Sequence, residues 1–131
     1  MRSSIRTAGL LTLLAAPVAA LDGNAEDGAR NFMLNCAGCH GADAQGAGPM
    51  GIILAVSPPD LTQLSTADGF PMADVVRRID GRDLIVHGGP MPVFGAILED
   101  RSALVDDPEG NPVFTSQAVL DIATWLSTIQ R

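Results

Sequence analysis

Apolar residues recur at helical spacing near both ends of the chain and lose that spacing in between. Ala25, Ala29, Phe32, Met33 and Cys36 fall at i, i+4, i+7, i+8 and i+11, one face of a helix. Asn24 stands where it can cap that helix, and Glu26 and Asp27 suit the positive end of its dipole, so a helix is expected over about residues 25–35. Val119, Ile122, Leu126 and Ile129 form a second apolar stripe, with Trp125 beside it, on a helix starting near Ser116. A third, shorter helix is predicted from Pro71 to Asp80, since Pro71 suits the first helical position and Gly81 the stop. From Gly38 to Pro59 the glycines and prolines crowd, and the segment reads as a loop. A second such stretch runs from His87 to Gly95, and an acidic loop with Asp100, Asp106, Asp107 and Glu109 follows it. No convincing run of alternating strand residues is seen, so the expected fold is all-α: short helices joined by two irregular loops. Loops this long are unusual in a compact domain unless they are functional, and these would pack well around a rigid, flat, apolar object.

Composition sharpens that expectation. The chain has 131 residues, enough for one domain, and its only aromatic residues are four Phe and one Trp. Its core is therefore thin. Eight arginines, with no lysine, stand against fifteen acids, for a net charge of −7, which excludes a basic nucleic-acid-binding surface. Residues 1–20 read as a cleavable export signal. Arg2 and Arg6 form a basic start, Ala8 to Ala16 is apolar but too short to span a bilayer, and Val18-Ala19-Ala20 offers small residues for cleavage before Leu21. The mature domain would be residues 21–131. It would keep six of the eight arginines and all fifteen acids, a net charge of −9, and no stretch apolar enough to span a membrane.

The two cysteines sit in one pentapeptide, Cys36-Ala37-Gly38-Cys39-His40. A disulfide there would close almost no loop and add little stability, so a chemical role is the better reading. C-x-x-C-H is the attachment signature of c-type haem. Two thiols three residues apart on a helical turn can each form a thioether with the vinyl group of a neighbouring pyrrole. His40 then lies beneath the macrocycle as an iron ligand, with its other ring nitrogen free to donate to a carbonyl. Two rivals use the same residues. A dithiol redox pair would need a strand–helix setting, which is not found. A zinc site from Cys36, Cys39, His40 and His87 is chemically sound but leaves the second loop unexplained. That loop offers Met91, between Pro90 and Pro92, whose rings restrict the chain on both sides. Met91 is the expected sixth ligand. Met50, only ten residues beyond His40, and His87 are weaker candidates, and Met33 and Met72 read as core filling.

From about Asn24 to Gln130 the sequence resembles the class I c-type cytochromes. The pentapeptide carries most of that likeness. Gly89-Pro90-Met91-Pro92-Val93-Phe94-Gly95 is similar to the family's axial-methionine loop, and Gly28 with Phe32, and Trp125, resemble the aromatic and glycine positions where its first and last helices meet. The resemblance implies a cytochrome c fold, three to five short helices around one covalently bound haem c. It implies that Gly46-Ala47-Gly48-Pro49 supplies a proline carbonyl to the iron-binding histidine, which makes Pro49 the partner of His40, and that Pro58-Pro59-Asp60-Leu61-Thr62 lines the haem. The segment from Leu98 to Val113 is longer and more acidic than in compact members. The expected function is a periplasmic one-electron carrier, not an enzyme, or else the haem subunit or dedicated acceptor of a periplasmic dehydrogenase. Its expected partners are a dehydrogenase, a membrane-bound cytochrome complex or a terminal oxidase. A ligand-binding haem sensor or peroxidase-like protein is the remaining reading.

Overall fold

The computed structural model describes residues 22–83 and 89–131. The export signal predicted over residues 1–20 lies outside the described residues, as does His87. Helix α1 spans Ala25–Asn35, α2 Ala37–His40, α3 Met72–Asp80, α4 Phe94–Ile97 and α5 Gln117–Thr128. Short 3-10 turns cover Pro49–Ile53 and Leu61–Gln63.

The three predicted helices form where the sequence places them, each with its expected stop or start signal. The Asn24 side chain accepts from the backbone N–H groups of Glu26 and Asp27, and Ser116 accepts from that of Val119 at 3.3 Å. Gly81 ends α3 in the left-handed region, φ 70°. Pro71 stands one position earlier than expected, as the cap residue of α3.

Helices α1 and α5 pack directly on each other. A Cβ on Gly28 would lie 2.0 Å from the Asp121 carbonyl oxygen and 2.9 Å from Trp125 Cβ, so only glycine permits this approach. One turn further on, Phe32 and Trp125 meet with ring centroids 4.6 Å apart and planes tilted by 43°. Phe32, Val76, Val119, Ile122 and Leu126 are the largest fully buried side chains, so the apolar core lies among α1, α3 and α5. The predicted face of α1 is shifted: Met33 is half exposed, and its expected core role is not found, whereas Met72 packs against the core as expected. Burial of Gly28 with Phe32 turns that face away from Met33.

The fold is mainly helical as expected, and the acidic loop adds a small two-stranded hairpin outside that expectation. Ser102–Asp106 (β1) and Pro112–Ser116 (β2) pair antiparallel, with Leu104 opposite Phe114. Ala103 and Val113 turn inward, while Leu104 and Phe114 stay exposed. Asp107 organises the turn. Its carboxylate accepts from the backbone N–H of Asn111 at 2.8 Å and from Arg77 Nη2 at 2.8 Å. Those bonds, that of Asn111 first, hold its pKa below the usual carboxylate range despite the opposing effect of burial. Gly110 follows at φ 82°. The alternation Ala103, Val105 and Val113, Thr115 around Asp-Pro-Glu-Gly was a hairpin signal, masked by the density of acids.

Candidate cofactor site

Helix α2 is a single turn that carries the pentapeptide. The backbone N–H groups of Cys39 and His40 both donate to the Cys36 carbonyl, at 3.1 and 2.9 Å. This helical turn spaces the two thiols as a pair. Both are unbridged, Cys36 buried and Cys39 half-buried. Burial, and then the neighbouring Cys39, pushes the Cys36 thiol up to about 12.

The following loop folds back under this turn through main-chain contacts. Gly46 N–H donates to the His40 carbonyl at 2.7 Å, and Gly48 N–H to that of Cys39 at 3.1 Å. A Cβ on Gly48 would lie 2.5 Å from the Cys39 carbonyl carbon and oxygen. Gly46, at φ 84°, supplies the reversal, and a Cβ there would strike the Pro58 carbonyl oxygen at 2.3 Å. These glycines therefore bring Pro58 and Pro59 up to His40.

The carbonyl that meets His40 Nδ1 is that of Pro59, at 3.4 Å. The sequence pointed to Pro49 for this role, and the structure places Pro49 elsewhere. Pro49 is exposed and opens the 3-10 turn that leads away from the glycine hairpin, whereas Pro59 arrives at the ring after the loop has closed. The likeness of Gly46-Ala47-Gly48-Pro49 to the family's histidine-contacting segment implies Pro49, and Pro59 makes that contact instead. Leu61 N–H then donates to the Ala44 carbonyl at 2.8 Å, which pins the segment after Pro59. Asp60 caps the next turn by accepting from the Thr62 N–H at 2.9 Å and hydroxyl at 2.6 Å.

His40 is buried. Burial, only partly opposed by the Pro59 carbonyl, lowers its pKa and favours the neutral ring. No described residue hydrogen-bonds its Nε2. This donor set fits a c-type haem: two thiols on one turn, then a neutral imidazole with one nitrogen oriented by a carbonyl and the other available to a metal. Ile52, Ile53 and Val56, exposed at 89, 73 and 62%, give an apolar surface in the loop adjoining the Cys turn, in keeping with a porphyrin. Among the described residues no three His, Cys, Asp or Glu side chains are grouped to hold a metal ion, so Cys36, Cys39 and His40 alone do not make a zinc cluster.

Met91 lies on a different segment. It is half-buried and packs against the apolar core just before helix α4. Met50 is about half exposed in the 3-10 turn, its Cγ 3.7 Å from where a Gly38 Cβ would stand. It therefore sits beside the Cys turn itself, the wrong place for a ligand from the opposite side. Arg77 pairs with Asp74 and Asp107, and Arg82 with Asp80.

The sequence reading missed Gln130. Its Oε1 accepts from the backbone N–H groups of Leu64 and Ser65 at 2.7 and 3.0 Å, and its Nε2 donates to the Leu61 carbonyl at 2.9 Å. It ties the end of α5 to the segment that follows Pro59. A polar residue one position past an apolar stripe gives no signal of that reach.

The family model for cytochrome c matches residues 25–130. The chain belongs to the cytochrome c family, and its cofactor is accordingly a covalently attached haem c with iron. Comparisons with curated proteins and with solved structures find no match. The family assignment agrees with the site built from the residues, and members of this family are in general electron-transfer proteins.

Proposed function

We propose that this cytochrome is an exported, periplasmic one-electron carrier whose single haem is tethered by Cys36 and Cys39 and ligated by His40 and Met91. The observation that carries the reading is His40 itself: buried where the neutral ring is favoured and oriented through Nδ1 by Pro59, directly after two thiols on one turn. The bound haem supplies the one-electron iron couple. His40 would ligate the iron, its ring oriented through Nδ1 by the Pro59 carbonyl. Met91, restrained by Pro90 and Pro92, would offer its thioether as the second ligand, and a soft sulfur ligand favours ferrous iron and raises the potential relative to a second histidine. Two protein ligands leave no position for oxygen or peroxide, which favours transfer over catalysis. Export is supported by the composition of residues 1–20, and the net negative charge favours partners with a basic docking surface. Service as the haem subunit or dedicated acceptor of a periplasmic dehydrogenase uses the same residues.

Mass spectrometry of the protein matured by its native host tests this directly. One haem mass on the peptide holding Cys36 and Cys39, in a chain starting at Leu21, is expected. Bare thiols on that peptide would contradict the tether, and an intact residue 1–20 segment would contradict export by cleavage.

A further inference from the structure

We propose that Asp80, Arg82 and Thr115 form a clamp that seats the Met91 loop, acting as positioning residues for the methionine sulfur. The inference rests on the reading of Met91 as an iron ligand. Asp80 is the last residue of α3, and its side chain is only 8% exposed. Arg82 grips it with two parallel bonds, Nε to Oδ1 and Nη2 to Oδ2, both at 2.7 Å. Thr115 on β2 donates its hydroxyl to Oδ2 at 2.7 Å, and the Arg82 backbone N–H donates to Oδ1 at 3.3 Å. The left-handed Gly81 makes the pairing possible, because it folds residue 82 back over residue 80. A bidentate pair with its remaining acceptor positions engaged is a rigid body, not a mobile surface pair.

The loop that carries Met91 rests on that body. Gly95, in the first turn of α4, is buried against it. A Cβ there would lie 2.5 Å from Asp80 Oδ1 and 2.6 Å from Arg82 Nε. The backbone of α4 therefore contacts the ion pair with no side chain between them. Gly95 follows Met91 by four residues, and Pro92 removes much of the freedom in that short span. Displacing the clamp would move the helix start, and with it the sulfur. Asp80 is the buried member of this pair and Arg82 is about half exposed, so the pair adds only modestly to overall stability. What this pair specifies is the mutual register of three segments: the end of α3, the hairpin and the Met91 loop. The hairpin, absent from the sequence expectation, thereby reaches the ligand side of the site through Thr115.

The test uses the haem-loaded protein and follows two signals during heating: the weak near-infrared band of sulfur–iron ligation in the oxidised state, and helix content by circular dichroism. In Thr115→Val the band is expected to vanish several degrees before the helices melt, and carbon monoxide to bind the reduced protein, which the unmutated protein resists. Thr115→Ser restores the hydroxyl and is expected to restore both properties. Gly95→Ala approaches the same contact from the loop side and is expected to behave like Thr115→Val. If band and helices are lost together in Thr115→Val, at whatever temperature, the clamp is only structural and the proposal is overturned. Absence of the band from the unmutated protein would overturn Met91 ligation instead, and this assignment with it.

Discussion

On the His40 side of the site the main chain does most of the holding, with Asp60 and Gln130 adding side-chain bonds after Pro59, whereas the Met91 loop, the proposed second side, rests on side chains from elsewhere. Gly46, Gly48 and Leu61 each lock the Cys–His turn or its loop through a backbone bond of 3.1 Å or less. The main-chain bonds of residues 93–98 are local, Ala96 to Val93 at 3.3 Å and Leu98 to Phe94 at 2.7 Å, and the outside support comes from the Asp80–Arg82 pair beneath Gly95. Main-chain bonds survive most substitutions. A carboxylate, a guanidinium and a hydroxyl do not. The difference teaches that the histidine side should be the permanent wall of the site and the methionine side the conditional one, sensitive to pH and to changes in distant elements.

The most severe way to break the comparison is to remove what both walls share. With few aromatic residues in the chain, the haem is expected to be a large part of what the loops pack on. A Cys36→Ser, Cys39→Ser variant should carry no haem and lose most of its helical circular dichroism. Near-native helix content in that variant would show that neither wall depends on the cofactor. Gly28→Ala comes next, because its Cβ meets backbone of α5, which cannot swing aside. Overpacking of this kind should cost about 1–3 kcal/mol or more, read as a lower denaturant midpoint. It would weaken both walls equally, through the scaffold.

Met91→Ala sharpens the contrast by touching one wall alone. Haem attachment and helix content should be retained, the reduction potential should fall, and carbon monoxide should bind. Gly48→Ala is its counterpart on the other wall. It should reduce the yield of haem-loaded protein, since its Cβ collides with the backbone of the Cys turn.

Acid should separate the walls more gently. Burial alone would raise the Asp80 pKa, but the bonds from Arg82 and then Thr115 outweigh it, so the carboxyl lies below its ordinary value. A lowered folded pKa gives stability that is complete above the unfolded value, about 3.9, and is lost as pH falls through the folded one. The near-infrared band should therefore fade in acid below that range, and Asp80→Asn should remove this part of the acid response. The smallest effect belongs to Arg30. Its pairs with Glu26 and Asp27 are exposed on α1, and Arg30→Ala should leave the denaturant midpoint essentially unchanged, with no effect on either wall.

Much of the scaffold was legible because it is written in local signals. Asn24, Gly81 and Ser116 mark helix ends, and the 3.6-residue spacing of Val119, Ile122 and Leu126 marks the buried stripe. The pentapeptide was legible because its spacing is its chemistry. What escaped depends on long-range placement. Pro59 rather than Pro49 reaches His40 because Gly46 reverses the chain first, and two prolines ten residues apart look alike in sequence. Asp107 was read as one of a group of solvated acids, yet it organises a hairpin turn and pairs with Arg77, thirty residues away. The face of α1 was misjudged at Met33 because periodicity cannot tell which edge of a stripe a glycine contact will favour.

The proposed ligation of one iron by His40 and Met91, between two unequal walls, meets its sharpest test in the near-infrared spectrum of the oxidised, haem-loaded protein. The account predicts a sulfur–iron band that is present in the unmutated protein, retained in Met50→Ala and abolished in Met91→Ala. A band that survives Met91→Ala, or disappears in Met50→Ala, would contradict it.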